Sequence, residues 1–300
     1  MDRRIELRHV RYFLALAEEL HFGRASGRLH IAQPALSQQI RQLETIVGVE
    51  LFRRTSRSVR LTEAGAAFRP RARSLLDTLA ADLDEAGRVG RGEAGRLDVA
   101  FITSATTIVG EYLGAFARRR PEVQVKLHDG FTTDVLAALE RGTADVGIVR
   151  DAEQRDDIDL SLLASERFVA VVPADHPAAG GDRVAARALA ADPLILFPRS
   201  AGPEAFDTNT RPLRNAGVDV QVAQECSNWH TIVTFVAAGL GVSIAPYSVT
   251  TLLPPGARRL ELDEPPTVSQ ILMATRRGDD RPLVRAFTAA STSPPSRRPD

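Results

Sequence analysis

The hydrophobic pattern of the first fifty residues predicts three helices. In residues 5–20, apolar side chains recur every three or four positions, which is typical of a helix with one buried face. Residues 22–44 predict two shorter helices separated by a turn, and apolar residues spaced by four and three within 36–43 mark a buried face on the second. Pro34 suits the first turn of that helix, because its missing N–H and fixed φ cost nothing there.

The opposite face of this second helix is polar. Ser37, Gln38 and Arg41 lie together on it, and Gln33 and Pro34 lie at its start. Gln, Ser and Arg side chains can form hydrogen bonds with base edges and phosphates in a DNA major groove. The pattern therefore predicts a DNA recognition helix. A solvated amphipathic helix shows the same pattern, so this stretch alone leaves both interpretations open.

Residues 49–62 predict a small β-hairpin with a basic tip. Leu51 and Phe52 are apolar, and a polar, arginine-rich tip with Arg53, Arg54 and Arg57 follows them. After the tip, two apolar residues alternate with an arginine over 59–61. Next to a recognition helix, such a hairpin is the wing of a winged helix-turn-helix, and an arginine on it can reach phosphates or a narrow minor groove. The alternative is a solvated basic loop.

The next segment predicts a long helix that pairs with a copy of itself. Thr62 is a good N-cap residue, and apolar side chains then recur in steps of three and four over residues 68–86, as in a coiled coil. Pro70 should remove a hydrogen bond and bend the axis, so we expect the helix to straighten only after that residue. Four glycines within 87–95 predict a flexible hinge.

From Arg96 onward, strand and helix patterns alternate, which predicts two α/β lobes and a cleft between them. The run over 97–149 reads β-α-β-α-β and favours a mostly parallel sheet. The Pro- and Ser-rich tail, 292–300, is expected to be disordered. Further strands are predicted at 167–173, 193–198, 218–223, 241–246, 257–262 and 268–275, and further helices at 204–216, 228–238 and 281–290.

Charge is distributed unevenly along the chain, although the net charge is zero. Residues 1–73 carry 14 Arg and 7 acidic residues, which leaves the remainder acidic. A basic head on an acidic body favours a polyanion partner for the head alone. A single cysteine excludes an internal disulfide, and one cysteine with six scattered histidines gives no zinc site, so neither metal nor cofactor is expected. Without a signal peptide or a long apolar run, we expect a soluble cytoplasmic protein with no membrane partner.

Six stretches of the chain are informative when taken together: LRHVRYFLALAEELHFGRAS, LHIAQPALSQQIRQLE, GVELFRR, RLTEAG, DVGIVR and VAAGLGVSIAP. On these stretches, the sequence resembles LysR-type transcriptional regulators over residues 6–290, and most of all the branch that senses aromatic-pathway intermediates. The resemblance implies a winged helix-turn-helix, a dimerising linker helix, and a two-lobed α/β effector domain like a type 2 periplasmic binding protein. It also implies a homotetramer, built as a dimer of dimers, on operator DNA, with RNA polymerase as a further partner.

The resemblance also implies domain boundaries and DNA contacts. The DNA-binding domain spans 1–62, the linker helix and hinge 63–92, the effector domain 93–290 and the tail 291–300. Lobe I is expected at 96–165 and 268–290, and lobe II at 166–267. The positions that correspond to base-reading residues are Gln33, Pro34, Ser37 and Gln38, while Arg57 and Arg54 correspond to basic wing positions. Relatives often carry arginine where this chain has Gln38, and Pro70 is unusual for the family's linker.

Candidate effector contacts follow from the strand ends, where open α/β sheets bind ligands. Thr103 and Ser104 end the first strand of the body, and their hydroxyls together with free helix N–H groups form a seat for a carboxylate. Thr132 and Thr133 precede the next helix in the same way. Arg150 follows the third strand and could clamp an anion with two hydrogen bonds.

Lobe II supplies a second set of candidates. Pro198, Pro203 and Phe206 lie near a strand end and could form an apolar wall, and Trp229 and His230 open a helix near the cleft. Each candidate also has a structural explanation: the hydroxyls as helix caps, Arg150 as a surface ion pair, Trp229 as core and His230 as surface. In the aromatic-sensing branch, the positions that line or gate the pocket correspond to Ser104, Thr132, Arg150, Pro203 and Phe206.

The sequence therefore favours a DNA-binding regulator controlled by a small, carboxylate-bearing anionic effector bound between the lobes. The alternative is an α/β enzyme that acts on a small acid and carries an accessory N-terminal domain. Against the enzyme, the chain has no nucleophile elbow, HExxH, P-loop or GxGxxG motif. A cysteine redox sensor ranks below both, because Cys226 has no second cysteine with which to form a disulfide.

Overall fold

The computed structural model describes residues 5–55 and 58–291. The chain divides into two compact units, with the division between Gly87 and Arg88. Two of the predictions above, the wing contact of Arg57 and the disorder of the tail at 292–300, lie outside the described residues.

The first unit is a three-helix domain with a two-stranded wing. Its elements are α1 (Leu7–Glu19), α2 (Phe22–Arg28), α3 (Gln33–Val47), β1 (Phe52–Arg54) and β2 (Val59–Leu61). The two strands pair antiparallel. The predicted winged helix-turn-helix is therefore confirmed, including the turn between α2 and α3.

Aromatic rings join the helices of this unit to the wing. The ring centroid of Phe13 on α1 lies 5.3 Å from that of Phe52 on β1. It lies 4.8 Å from that of Phe68 on the helix that follows the wing. Leu36 and Ile40 of α3 are fully buried in the same core. Since α3 buries one face so completely, its opposite face is held outward in a fixed orientation.

The long helix α4 (Glu63–Gly90) begins where its N-cap was predicted, but Pro70 does not delay it. The backbone N–H of Gly65 donates to Thr62 Oγ1 at 3.0 Å. The helix is continuous from Glu63 through Pro70, so the proline does not interrupt it. Packing of its first turns on the core through Phe68 and Ala72 outweighs the loss of one backbone hydrogen bond.

The predicted glycine hinge is also shorter than expected. Gly87 and Gly90 belong to α4, and the chain turns at Gly92, whose φ is 66°. A Cβ at Gly92 would lie 2.7 Å from the Pro282 carbonyl carbon, so both the φ and the close approach require glycine. The next strand begins two residues later, at Ala94.

Lobe I of the second unit has the predicted parallel β-α-β-α-β arrangement. Strands β3 (Ala94–Ile102), β4 (Glu122–Gly130) and β5 (Val146–Arg150) lie in the order β4-β3-β5 and alternate with α5 (Thr106–Arg119) and α6 (Thr132–Glu140). The connection after β3 therefore runs to β4 on one side, and the connection after β4 crosses back past β3 to β5 on its other side. The carboxyl end of β3 is a switch point, the place where open α/β sheets form a crevice.

One long strand links the two lobes. The first part of β6 (Ile158–Pro173) pairs with β12 (Val268–Arg276) in lobe I. Its last part pairs with β10 (Ser243–Pro246) and β11 (Ala257–Leu262) in lobe II. Only residues 167–173 were predicted as strand. The preceding half was missed because much of it is exposed and lacks a buried apolar run.

Lobe II and the final helix complete the second unit. The helix α9 (Pro282–Ser291) returns to lobe I, where the centroid of Phe287 lies 5.0 Å from that of Phe116. The remaining elements are β7 (Arg183–Val184), β8 (Leu194–Leu196), α7 (Pro203–Asn215), β9 (Val222–Glu225) and α8 (Trp229–Ala237). Strands β8 and β9 pair in parallel, and β9 starts four residues later than predicted.

Substitution of Gly65 by alanine tests the packing of α4 against the wing. A Cβ at Gly65 would lie 2.1 Å from the Leu51 carbonyl oxygen. We expect Gly65→Ala to lower the free energy of unfolding of the first unit by about 1–3 kcal/mol. Gly27→Ala is the matched control, because nothing lies within 4 Å of its added Cβ. That substitution should stabilise α2 by about 0.5–1 kcal/mol.

The measurement is urea unfolding of the full chain, monitored both by circular dichroism and by tryptophan emission. Trp229 is the only tryptophan and lies in the second unit, so its emission reports on that unit alone. The Gly65→Ala transition should shift in the dichroism signal but not in emission. A Gly65→Ala protein as stable as Gly27→Ala would contradict the close approach.

Candidate functional site

The predicted recognition residues form an exposed surface on α3. Gln33, Pro34, Gln38 and Arg41 are exposed, and Ser37 is half-buried among them. Pro34 lies in the first turn of α3, as predicted. Arg41 Nη2 donates to Ser37 Oγ at 3.0 Å. The surface therefore presents amide, hydroxyl and guanidinium groups side by side, the set of donors and acceptors that reads base edges in a major groove.

Arg54 has a structural partner within the first unit. Its guanidinium forms an ion pair with Glu44 and lies over the ring of Phe22, with its central carbon 5.4 Å from the ring centroid. Glu44 Oε1 also accepts the backbone N–H groups of Leu51 and Phe52, each at 3.0 Å. Arg54 therefore links α3 to the first wing strand. Its guanidinium is engaged within the protein, unlike that of an arginine available to bind a DNA phosphate.

In the second unit, a pocket opens at the β3 switch point between the two lobes. Lobe I contributes the ends of three neighbouring strands, and lobe II contributes the start of α7 and the start of α8. The pocket is narrow, with a cavity volume of about 30 Å³. Its lining consists of Ile102, Thr103, Ser104, Gly130, Phe131, Thr132, Arg150, Phe197, Ala201, Gly202, Ala205, Asn209 and Trp229.

Arg150 is buried in this pocket and is already paired. Its Nη2 donates to Glu166 Oε1 at 2.7 Å, and its Nη1 donates to Ser269 Oγ at 2.8 Å. Its Nε donates to Ser104 Oγ at 3.1 Å. Arg150 lines the pocket as expected for an effector residue, but its guanidinium is not the free two-pronged clamp that the sequence suggested, because the Glu166 carboxylate neutralises it.

Glu166 connects this ion pair to lobe II. Its Oε2 accepts the backbone N–H of Ser248 at 2.7 Å, and its Oε1 accepts the Ser248 hydroxyl at 3.0 Å. The buried pair is therefore surrounded by hydrogen-bond partners from both lobes. This is the condition under which a buried ion pair is tolerated, since each charge would be costly alone.

The lobe I hydroxyls lie at the strand ends, as predicted. Thr132 Oγ1 accepts the Arg150 backbone N–H at 3.3 Å, which joins the start of α6 to the end of β5. Ser104 is buried beside the guanidinium. Thr133 Oγ1 donates to the Ala201 carbonyl of lobe II at 3.1 Å, so α6 contacts both lobes.

Aromatic rings form the lobe II wall. The centroid of Phe197 lies 5.8 Å from that of Trp229 and 5.9 Å from that of Phe206, both in edge-to-face arrangements. Phe131 of lobe I lies 6.3 Å from Phe197. Trp229 therefore belongs to the lobe II core and also lines the pocket.

Five of the predicted effector residues do not line the pocket: Thr133, Pro198, Pro203, Phe206 and His230. Phe206 is buried behind Phe197, Pro203 forms the first turn of α7, and His230 is exposed. The sequence did not single out Phe131, Phe197, Gly202 or Asn209. The strand pattern could have identified Phe131 and Phe197, which directly follow β4 and β8, but nothing in it indicates that Asn209 on α7 faces the pocket.

Asp151 follows Arg150 and adopts a φ of 48°, in the left-handed region that non-glycine residues rarely occupy. Burial raises the pKa of the Asp151 carboxyl, and hydrogen bonds from the Gln270 backbone N–H and the Ser269 hydroxyl oppose that rise. The strained residue thus continues the hydrogen-bonded chain that starts at Arg150.

Two further features bear on the alternatives. Cys226 is buried, and burial raises the pKa of its thiol, which disfavours the reactive thiolate of a redox sensor. Among the helices in the described part of the chain, none is both long enough and apolar enough to traverse a lipid bilayer.

Two family profiles match the chain. The family described as "Bacterial regulatory helix-turn-helix protein, lysR family" matches residues 7–66, and "LysR substrate binding domain" matches residues 90–293. The chain is 37% identical over 286 residues to the "Uncharacterized HTH-type transcriptional regulator YnfL" of Escherichia coli, covering 94% of this chain and 96% of that protein. It is 33% identical over 288 residues to the "HTH-type transcriptional regulator AlsR" of Bacillus subtilis, covering 94% of each.

Solved structures give the same result. The crystal structure of CbnR, a LysR family transcriptional regulator, superposes with a TM-score of 0.83 at 27% identity, covering 96% of this chain and 100% of that one. Full-length CbnR in complex with its target DNA superposes with the same TM-score. The chain therefore belongs to the LysR family, as a DNA-binding transcriptional regulator with an effector-binding domain and not an enzyme.

Proposed function

We propose that a small carboxylate is the effector of this regulator, and that it binds in the pocket between the lobes. The observation that carries the proposal is the Ser104 hydroxyl. It accepts a hydrogen bond from Arg150 Nε, while its own proton meets no acceptor among the described residues. A hydroxyl whose lone pair is engaged in this way is free to donate its proton to a carboxylate oxygen.

The backbone around Ser104 supports a negatively charged group. A short 3-10 helix (Thr103–Ala105) leads into α5, and α6 begins at Thr132, so the N-termini of helical segments lie on two sides of the pocket. Free N–H groups at such ends carry partial positive charge. Because Glu166 already neutralises Arg150, these dipoles and the hydroxyls, rather than a net positive charge, would supply the attraction.

The narrowness of the pocket limits the effector. A cavity of about 30 Å³ holds about two water molecules. An acid larger than that requires the lobes to move apart. The lobes touch through Thr133 and the Ala201 carbonyl, and a Cβ at Gly202 would lie 3.4 Å from Thr132 Cβ. An effector that alters these contacts would bias the angle between the lobes, and with it the arrangement of the DNA-binding units.

Pairing between subunits is a further part of the proposal. Leu75 and Leu83 on α4 are 49% and 64% exposed, respectively, although both lie on the predicted coiled-coil seam. Covering that seam with the α4 of a second copy would bury these side chains. We infer a homodimer through α4, and from the family resemblance a dimer of dimers.

For DNA binding, we propose that Gln33, Pro34, Ser37 and Gln38 contact base edges and that Arg41 and Arg57 contact phosphates. The exposure of the α3 side chains supports these roles. Arg54, which is paired with Glu44, would position the wing rather than read DNA.

Alanine substitutions on α3 test the base-reading role. Gln33→Ala and Ser37→Ala should each relax the preference at one base pair by about 1–3 kcal/mol, because one hydrogen-bonding group is removed. The measurement is selection of binding sites from a random duplex library, followed by competition between the preferred and substituted duplexes. Gln124→Ala, an exposed glutamine on β4, is the control. Unchanged preferences in both variants would remove α3 from the base-reading role.

Ser104→Ala tests the effector seat. We expect it to weaken binding of the tightest carboxylate in an aliphatic and aromatic panel about tenfold or more, since a hydrogen bond to a charged group contributes about 1.5–3 kcal/mol. Calorimetry on the full chain measures the affinity, and a DNA titration without acid should match wild type. Ser161→Ala, an exposed serine on β6, is the control. Equal affinities in the two variants would place the carboxylate elsewhere.

A further inference from the structure

Asn209 is a buried polar side chain whose hydrogen-bonding groups have no partner. It lies on α7, is 1% exposed and lines the pocket between the lobes. Among the described residues, neither its Oδ1 nor its Nδ2 has a hydrogen-bond partner. Its neighbours on the same helix differ, since Thr210 Oγ1 donates to the Phe206 carbonyl at 2.9 Å. The unpaired amide is therefore a property of the position that faces the pocket.

An unpaired buried amide is unfavourable. Buried polar groups in proteins nearly always find a partner, and an apolar residue of similar size avoids the cost of desolvation. Leucine has nearly the same shape as asparagine and would suit the neighbouring Phe197 and Ala205. A group that enters the pocket and pairs with the amide would remove this cost.

The chemistry of the amide defines that group. Oδ1 accepts a hydrogen bond and Nδ2 donates one, so a complementary group must both donate and accept. A hydroxyl does both, a keto oxygen satisfies only Nδ2, and an alkyl chain satisfies neither. A carboxamide would also do both, but it contains more heavy atoms than a hydroxyl. The hydroxyl is the smallest group that meets the requirement.

We propose that the effector is a small hydroxycarboxylate, and that Asn209 selects it by binding its hydroxyl. This inference rests on the proposed function, in which the carboxylate binds beside Ser104 and Thr132. Asn209 belongs to lobe II and the seat belongs to lobe I, so one ligand with two polar groups would contact both lobes. A simple acid would engage the seat alone.

The test compares acids that differ by one hydroxyl, on the full chain by calorimetry. The pairs are butyrate with 2- and 3-hydroxybutyrate, and benzoate with 2- and 3-hydroxybenzoate, and succinamate represents a carboxamide. In wild type, at least one hydroxy acid should bind about tenfold or more tightly than its parent acid. In Asn209→Leu that ratio should fall to about one, with the parent acid's affinity retained. Asn215→Leu, at the exposed end of α7, should keep the wild-type ratio.

Thermal unfolding without ligand gives an independent readout. If the amide is unpaired, Asn209→Leu should melt at or above the temperature of Asn215→Leu. A melting temperature clearly below that control would mean that the amide is already satisfied within the protein, for instance by a bound water, and would overturn the inference.

The outcomes also separate this inference from the proposed function. Acids that bind and depend on Ser104, but show no preference for a hydroxyl, overturn only the role of Asn209. A preference for succinamate over every hydroxy acid would overturn the proposal that a hydroxyl pairs with Asn209. The group that pairs with Asn209 would then be a carboxamide. Binding by none of the acids overturns both proposals.

Discussion

The second unit depends on one buried ion pair, between Arg150 and Glu166. Arg150 ends a central strand of lobe I, and Glu166 lies on β6, the strand that continues into lobe II. Ser248 of lobe II donates to Glu166 through both its backbone and its hydroxyl. Because an isolated charge at this depth would be strongly destabilising, the groups that satisfy the pair are held in place, and they come from both lobes.

This constraint determines the character of the pocket. With its charge neutralised, Arg150 positions Ser104 through the bond from its Nε, and its backbone N–H positions Thr132. The groups that remain for a ligand are neutral: a hydroxyl proton, helix N–H groups and the Asn209 amide. If the effector is the small acid proposed above, such a site would select it by the placement of donors and acceptors more than by charge.

Periodicity and topology predicted much of this arrangement from the sequence. The spacing on α3 identified its buried and exposed faces, and the strand order placed Ser104, Thr132 and Arg150 at one edge of the sheet. The sequence could not reveal that Arg150 is paired, because Glu166 and Ser269 come to it only through the assembled sheet. Pro70 does not interrupt α4 for a related reason, since packing of the helix on the core outweighs the local rule.

Trp229 provides the most direct test of the central claim that a small carboxylate binds in this pocket. It is the only tryptophan in the chain, and it lines the site. The account predicts that acids which raise the melting temperature also change Trp229 emission saturably over the same concentration range, and that Ser104→Ala shifts both responses to higher concentration. Stabilisation by an acid with no change in emission would contradict the account, because the acid would then bind elsewhere.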